Sequence, residues 1–335
     1  MNEAALYDWI EQSTGFTDAR LGAVLAGGNS NVTRLVITDQ ARLILRHSPV
    51  NAVSDKASLG IAREYAALCA LHGRARVPQP IAWCDDHAIA GAPFSLTGWV
   101  DGESLTDQLP DRSDDDLVNR LGRNLISALA DVHRVEPAGI LPDSFGRPTG
   151  FIPRQINRWR KVRDNDCVRP LPELSQIADW LLANEPEALA PRIIHSDYHL
   201  DNCLADPSRG AINAIIDWEM ATLGDPRIDL GLALFFWKRD SSAPLGLPRI
   251  QAISNRSSAI DRAALADAWS SSSGMDPEKL PYFMVFSAWR LAAIIEGAYV
   301  LFRQGKIDTI YARNLDHDVP ALLTEAAAII DRDAP

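Results

Sequence analysis

Residues 193–206, IIHSDYHLDNCLAD, place two histidines, three aspartates and an asparagine within fourteen positions. Two isoleucines precede these polar residues and a Cys-Leu pair follows them. Polar groups this dense beside apolar ones indicate a functional site. The residue types allow three interpretations: a metal-hydrolase cluster, a phosphoryl-transfer loop, or a polar turn without chemistry.

The first interpretation is a zinc hydrolase. His195, Asp197 and His199 alternate, so on a β-strand they would share one face and could bind zinc. The other five of the seven histidines are single and scattered, and this interpretation leaves Asn202 unexplained. It is kept as an alternative.

The second interpretation joins this cluster to AIIDWEMATLGDP, residues 214–226. Asp217 follows an apolar run, as a carboxylate at the end of a buried strand would. The residues between Asp197 and Asp217 suffice for a hairpin that brings the two segments together. Phosphoryl transfer needs a carboxylate for the acceptor hydroxyl and hard oxygen ligands for Mg²⁺. Asp197, Asn202 and Asp217 have the residue types for these tasks.

The paired segments resemble the aminoglycoside phosphotransferase family of the protein-kinase-like superfamily. HSDYHLDN, from His195, is similar to the family's H-G-D-x-H-x-x-N motif, with Ser196 in place of glycine. The second motif, I-D-W-E-x-x-x-x-G-D-P-x-x-D-L, is matched from Ile216 to Leu230. The C-terminal WRLAAIIEGAYVLFRQG resembles the subgroup whose domain also occurs fused to acyl-CoA dehydrogenases.

The N-terminal part carries the same resemblance. LAGGNSNVTRLVI, residues 25–37, resembles the loop that covers the nucleotide phosphates, and LILRHSP resembles the third kinase strand. Arg46 stands there where kinases carry lysine, and Glu64 resembles its glutamate partner. PFSLTGWVDG resembles the hinge between two lobes. The nucleotide-contacting residues implied besides Arg46 and Glu64 are Gly27, Gly28, Asn29, Ser30, Gly98, Trp99 and Val100.

The fold predicted is α+β and bilobal, of the protein-kinase type. Residues 1–100 form a small antiparallel-sheet lobe that binds the nucleotide. Residues 101–335 form a larger, mainly helical lobe with catalytic and substrate residues. Hydrophobic periodicity predicts helices near 3–12, 61–73, 113–135, 174–184, 260–272, 281–304 and 316–331, with Ser113 as the cap of the third.

The function implied is an ATP- and Mg²⁺-dependent phosphotransferase that acts on a hydroxyl of a small molecule. Asp197 is the expected catalytic base, and Asn202 and Asp217 are the expected Mg²⁺ ligands. Arg46, oriented by Glu64, is expected to contact the α- and β-phosphates. His195 is expected to support the loop, while His199 could support it or contact the site. Asp225 and Asp229 are expected to brace the following helix.

The acceptor is expected to be a metabolic alcohol with an apolar part, such as a hydroxyacyl compound or its thioester. Arg290, Ile294, Gly297 and Leu301 follow one helical stripe that is mainly apolar, whereas an aminoglycoside pocket needs several carboxylates. The alternatives are a kinase-like nucleotide-binding protein without catalysis and an aminoglycoside phosphotransferase that confers resistance. A protein kinase is disfavoured because no A-P-E-type activation segment follows Asp217.

Charge and composition limit the kinds of binding partner that the chain is expected to have. The formal net charge of -11 disfavours nucleic-acid binding. The acidic N-terminus does not resemble a signal peptide, and the longest uninterrupted apolar run, LGLALFFW, is too short to span a membrane. Four widely spaced cysteines are expected to be reduced thiols in or near the core, in the cytoplasm. No oligomeric state is predicted. Core positions are expected for Trp237, Trp289, Tyr299 and Tyr311.

Overall fold

A five-stranded antiparallel sheet forms the first part of the chain. The computed structural model describes residues 1–25, 31–48, 56–105, 115–239 and 250–333. The predicted phosphate-loop residues Gly27, Gly28, Asn29 and Ser30, and the predicted helix cap Ser113, lie outside these ranges. In the order β1-β2-β3-β5-β4, the sheet contains the strands β1 (Arg20–Val24), β2 (Val32–Ile37), β3 (Arg42–His47), β4 (Pro80–Cys84) and β5 (Phe94–Gly98).

Alternation along β3 divides its side chains between two faces. Leu43 and Leu45 are buried in the core of the sheet, whereas Ile44 and Arg46 face a cleft, as predicted for residues two apart on a strand. The core side is covered by α1 (Glu3–Thr14), and a four-residue helix, α3 (His87–Ala90), packs beside it. The helix α2 (Lys56–Leu71) joins the sheet to the rest of the molecule.

The second part of the chain is mainly helical. Its helices are α4 (Asp115–His133), α5 (Phe151–Asn165), α6 (Pro172–Ala183), α7 (Arg227–Phe236), α8 (Arg262–Ser273), α9 (Leu280–Arg303) and α10 (Ile310–Asp333). Two small antiparallel strand pairs lie among them: β6 (Arg192–Ile194) with β9 (Thr222–Gly224), and β7 (Cys203–Asp206) with β8 (Ala211–Ile215). The α+β, two-part architecture predicted from the sequence is confirmed.

The helix α9 is the central core element of this part. It packs between α7 and α10, and α5 and α6 also contact it. It is the one helix among the described residues that is long and apolar enough to cross a membrane, and 67% of its most apolar window is buried inside the protein. Its apolar composition is therefore explained by its place in the core.

Four details differ from the sequence predictions. The helix α5 was not predicted, because its fifteen residues include six charged side chains and few apolar ones. Tyr311 was expected in the core, but it is 42% exposed near the start of α10.

All four cysteines are free, as expected, and Cys84 and Cys203 are buried. Cys69 and Cys167 are exposed, so for these two the predicted core location is wrong.

Candidate active site

The polar segment identified in the sequence forms a loop at the end of β6. That strand ends at Ile194, and the loop runs from His195 into a 3-10 turn at Leu200–Asn202. Because the alternating His-Asp-His residues are not on a strand, the face-sharing arrangement that zinc binding would need is not formed. The buried His195 ring instead donates from Nε2 to the carbonyl of Ile216 at 2.8 Å, as its expected supporting role requires.

Backbone groups of this loop are held from two helices. The Asp229 carboxylate on α7 accepts the amides of His195 (2.6 Å) and Ser196 (2.8 Å). Arg290 on α9 donates from Nη1 to the carbonyl of Ser196 at 2.5 Å. Ser196 adopts a left-handed φ of 67°, a conformation that glycine adopts without strain. This backbone conformation explains why the family motif usually has glycine at the position of Ser196. In this chain the hydrogen bonds to the amide and the carbonyl of Ser196 hold the serine in the same conformation.

The side chains of Asp197 and Asn202 meet inside the loop. Asn202 donates from Nδ2 to the Asp197 carbonyl (2.8 Å) and to the Asp197 carboxylate (3.1 Å). His199 brings Nε2 within 3.6 Å of the other Asp197 oxygen, and its ring packs edge-on against Phe236. The Asp197 side chain is nevertheless 41% exposed. It is therefore fixed in orientation and still accessible to a second molecule.

Charges around Asp197 keep it ionised. Desolvation by burial alone would raise the pKa of Asp197, but His199, His195 and Arg290 together hold that pKa well below its ordinary value. In turn, burial opposes protonation of His199, while Asp197 and the nearby Asp201 and Asp217 raise the pKa of His199 above its ordinary value. Asp197 is thus a carboxylate at neutral pH, able to accept a hydrogen bond from a hydroxyl.

Asp217 lies at the start of the second motif, beside this loop. The Ile216 amide donates to the Asn202 carbonyl at 2.9 Å, which ties the two motif segments together. Asp217 has a left-handed φ of 66°, and a 3-10 turn, Trp218–Met220, follows it. The predicted proximity of Asn202 and Asp217 is therefore formed by the β7–β8 hairpin between them.

Arg46 connects this segment with the sheet and with α2. Its Nη1 donates to the Glu64 carboxylate and its Nη2 to the Asp217 carboxylate, both at 2.5 Å. The carboxylate of Glu219 lies 3.8 Å from Nη2. The Arg46 and Glu64 side chains are only 13% and 7% exposed. The predicted pair of Arg46 and Glu64 is present, and it extends to Asp217.

A cleft of about 490 Å³ opens between the sheet and the two motif segments. Apolar walls come from Leu25, Ile44, Leu68, Leu204 and Ile216. All the predicted nucleotide and metal residues within the described ranges line it: Arg46, Glu64, Gly98, Trp99, Val100, Asn202 and Asp217. Its mixture of an apolar slot with charged groups at one side is typical of a nucleotide site.

Asp197 lines a second, smaller cavity of about 160 Å³. Apolar side chains dominate its walls: Met220, Ile228, Leu232, Phe286, Leu291 and Ile294. Its charged wall residues are Asp197 and Arg290, and Ser196 and Ser287 complete the lining. Asp197 therefore reaches an apolar cavity distinct from the one that Asn202 and Asp217 face.

The donor set suits Mg²⁺ better than zinc. Among the described residues, no three His, Cys, Asp or Glu side chains are grouped so that they could hold a metal ion. Asn202 contacts Asp197 through its amide nitrogen, and Asp217 contacts Arg46 through Oδ1. The Asn202 Oδ1 and Asp217 Oδ2 atoms thus remain as possible metal ligands in the cleft that both residues line. Mg²⁺ takes one or two protein oxygens together with phosphate and water.

Comparison with known proteins supports this geometry. The model of the phosphotransferase enzyme family, APH, matches residues 22–266. The chain belongs to this phosphotransferase family. The match includes both motif segments, the sheet except the first two residues of β1, and the chain from α2 to the first five residues of α8.

Relatives of this chain include much longer proteins. Acyl-CoA dehydrogenase family member 11 of Rattus norvegicus is 29% identical over 293 residues, which cover 83% of this chain and 36% of that protein. The chain thus spans little more than a third of that relative. The predicted likeness to the subgroup associated with acyl-CoA dehydrogenases is confirmed.

Solved structures share the fold of this chain. A protein from Ralstonia eutropha JMP134, provisionally assigned as an aminoglycoside phosphotransferase, has a TM-score of 0.84 and 25% identity, with 98% of each chain covered. A thermostable mutant of the aminoglycoside phosphotransferase APH(4)-Ia, in a ternary complex with AMP-PNP and hygromycin B, has a TM-score of 0.61 and 16% identity. That alignment covers 98% of this chain and 99% of the other.

Two contacts of the site were not predicted. Asn31 donates from Nδ2 to the Glu219 carboxylate at 2.6 Å, which links the start of β2 to the Asp217 segment. Glu219 lies within the second motif, so its position there was a usable signal. The bond from Arg290 to the Ser196 carbonyl joins residues 94 positions apart, and the sequence carries no signal for that pairing.

Proposed function

We propose that the chain is an ATP- and Mg²⁺-dependent phosphotransferase that phosphorylates a hydroxyl group of a small, partly apolar molecule. One observation supports the proposal most directly. Asp197 faces an apolar cavity, while Asn202, bonded to the same carboxylate, faces a cleft that also contains Asp217 and Arg46. An acceptor and a nucleotide could thus meet at Asp197 from opposite sides.

Asp197 would orient the acceptor hydroxyl and receive its proton. The hydroxyl oxygen attacks the γ-phosphorus, the bond from that phosphorus to the bridging oxygen breaks, and ADP leaves. Because the pKa of Asp197 is lowered, the carboxylate is a weak base that stays ionised. Its main contribution is then to align the hydroxyl, and the proton is transferred late, as suits a loose phosphoryl-transfer transition state.

Asn202 and Asp217 would hold Mg²⁺ through one oxygen each. When bound, Mg²⁺ would neutralise charge on the β- and γ-phosphates. Arg46 is held by Glu64 and lines the same cleft, so its guanidinium could contact the α- and β-phosphates. Gly27, Gly28, Asn29 and Ser30 remain the proposed phosphate-covering loop.

The base of the nucleotide would lie against Gly98, Trp99 and Val100. The amide of Gly98 already donates to Gln79 and that of Trp99 to Arg42. Within the described ranges, the Val100 amide donates to no protein acceptor, so it is the donor we assign to the base. We propose residue 100 as the division between a nucleotide-binding lobe, 1–100, and a catalytic lobe, 101–335.

The acceptor we propose is a hydroxyacyl compound or its thioester. The cavity at Asp197 is mainly apolar, which suits the aliphatic part of the acceptor. The Arg290 side chain on its wall suits the carbonyl or carboxylate group of a hydroxyacyl compound. A polycationic aminoglycoside would need several carboxylates there, and Asp197 is the one carboxylate on the cavity wall among the described residues. The acyl-CoA dehydrogenase relatives support an acyl acceptor.

The test is an ATP-consumption assay with side-by-side acceptors: hydroxyacyl thioesters, free hydroxy acids, choline-like alcohols and kanamycin-type aminoglycosides. Nucleotide binding is measured on the same preparation by thermal shift with and without Mg²⁺. We expect Mg²⁺-dependent stabilisation by ATP and phosphorylation of a hydroxyacyl acceptor. Efficient turnover of an aminoglycoside, with kcat/KM above roughly 10⁴ M⁻¹s⁻¹, would overturn the acceptor assignment.

The alternative function is nucleotide binding without catalysis. It would be supported by ATP stabilisation of the protein without phosphorylation of any acceptor. The presence of Asp197, Asn202 and Asp217 in one connected arrangement favours the enzyme.

A further inference from the structure

We propose that a groove along α9 binds a long aliphatic chain of the acceptor, so that this enzyme selects acceptors by chain length. The inference rests on the proposed function and extends its acceptor cavity. The groove, called the α9 groove below, has a volume of about 360 Å³ and lies between α5 and α9. Its apolar walls include Trp159, Val162, Ile294, Val300 and Leu301.

The acceptor cavity and the α9 groove share a wall. Ile294 lines both of them. On α9, the cavity is lined by Ser287, Arg290, Leu291 and Ile294, and the groove continues with Gly297, Leu301 and Gln304. Residues spaced by three and four lie on one face of a helix. One helical face therefore leads from Asp197 towards the surface of the protein.

Gly297 forms an open section of this face. Glycine within a helix is unfavourable compared with alanine, so its presence there calls for a reason. Apart from the adjoining residues and backbone of α9 itself, no atom of the described residues would lie within 4 Å of a Cβ added at Gly297, so packing against the rest of the protein does not require glycine. An open space above a glycine in the middle of a core helix is instead suited to a ligand that passes over the backbone.

The dimensions and the surroundings suggest the occupant. From Arg290 to Leu301 the helix rises roughly 16 Å, at 1.5 Å per residue, which is the reach of an extended chain of about twelve carbons. Charged side chains also line the groove: Arg163, Asp166, Lys306 and the ion pair of Arg169 with Glu296. Lys306 follows the last residue of α9, so the groove has a polar group beyond that end of the helix. We infer an acceptor with its hydroxyl at Asp197, an aliphatic chain over Ile294 and Gly297, and a polar terminus near the surface.

The test compares straight-chain hydroxy acids of about four and about twelve carbons, the longer chain being matched to the helix rise. Binding is measured by calorimetry and phosphorylation by ATP consumption. The variant Gly297→Leu fills the open space of the groove, and Gly297→Ala fills it partly. The matched control is Lys161→Leu, which adds the same side chain on the exposed side of α5, outside the groove.

We expect the wild type and Lys161→Leu to bind the long acid more tightly than the short one. Gly297→Leu should lose at least about 100-fold in affinity for the long acid, since each buried methylene contributes roughly fourfold. Its affinity for the short acid should change little, and Gly297→Ala should lie between. Because the space is open and glycine disfavours helix, both Gly297 variants should keep the wild-type Tm or exceed it.

Equal effects of Gly297→Leu on the long and short acids would overturn the proposal, as would a wild type that does not prefer the long acid. Chain-length-dependent binding without phosphorylation would support the α9 groove but refute the proposed phosphotransferase function. The two failures are thus distinguishable, because binding reports on the groove and phosphate transfer on the catalytic loop.

Discussion

Arg46 shows how a single substitution relative to the usual kinase lysine fits its surroundings. Its planar fork donates separately to Glu64 and to Asp217, and Glu219 lies nearby. A lysine ammonium is a compact point charge and cannot reproduce two fixed, diverging bonds in the same way. Arginine therefore suits a position at which two carboxylates must be bonded at once. Its positive charge, the same as that of lysine, is compatible with phosphate binding.

Asp217 provides the sharpest test of the metal assignment. Replacing it with alanine should weaken binding of Mg·ATP far more than binding of Mg²⁺-free ATP, since in the proposed function Asp217 contributes an oxygen to the metal. Isothermal titration calorimetry with and without Mg²⁺ measures both affinities.

The control for that experiment is Asp206→Ala, at the end of β7, where the carboxylate contacts only Ser208 and Arg209 among the described residues. Its two affinities should equal those of the wild type. If Asp217→Ala weakens both nucleotide forms equally, Asp217 does not bind the metal.

At the scale of elements, β3 and α2 are joined through a buried carboxyl group with an unusual pKa. Burial raises the pKa of Glu64 to about 7; Arg46 opposes this shift, and Asp217 and Glu219 reinforce it. In the unfolded chain the pKa of Glu64 would return to about 4.5. Between these values the native state holds a proton that the unfolded state has lost.

This proton gives a pH dependence with a defined sign. As the pH rises from about 4.5 to about 7, Glu64 should lower the free energy of unfolding, and above that range its contribution should be constant. Glu64→Gln should remove this decrease. Urea unfolding of the nucleotide-free wild type and variant at several pH values measures the difference, with exposed Glu11→Gln as control. An identical pH profile for wild type and Glu64→Gln would contradict the raised pKa.

A second connection between elements runs from α8 through α4 and α7 to the loop that contains Asp197. Trp269 donates from Nε1 to Nδ1 of His133 at 3.1 Å, so the His133 proton resides on Nε2 and is directed at Asp229, 3.4 Å away. Asp229 in turn accepts two amides of the loop. Through these bonds, the position of the Asp197 loop depends on how α4, α7 and α8 pack together.

His133→Phe keeps an aromatic ring and removes both hydrogen bonds. We expect kcat to fall by roughly 10- to 100-fold, as for small misplacements of a catalytic group, with little change in nucleotide affinity. Steady-state kinetics and nucleotide titration measure these quantities, and exposed His72→Phe serves as the control. A loss of stability with unchanged kcat would mean that His133 only packs the core.

For the whole molecule, the sequence was most informative where the site is built from short segments. The strand alternation of Ile44 and Arg46 and the motif spacing of Asp197, Asn202 and Asp217 depend on local geometry, and the structure reproduces them. Contacts between distant segments, such as Arg290 with Ser196, depend on how α9 packs, which periodicity alone does not specify. The polar helix α5 was missed because tertiary packing of a few apolar side chains stabilises it against its composition.

The central claim is that Asp197 directs phosphoryl transfer from a nucleotide in the cleft lined by Asn202 and Asp217 to an acceptor in the cavity that Asp197 lines. The most direct measurement is the kcat for transfer from Mg·ATP to the best acceptor, determined for wild type and Asp197→Asn at saturating nucleotide. Asparagine preserves the shape and removes the proton acceptor, so kcat should fall by about 10²–10⁴-fold while ATP affinity changes little. An Asp197→Asn variant with wild-type kcat, or a wild type that binds ATP but phosphorylates no acceptor, would contradict the account.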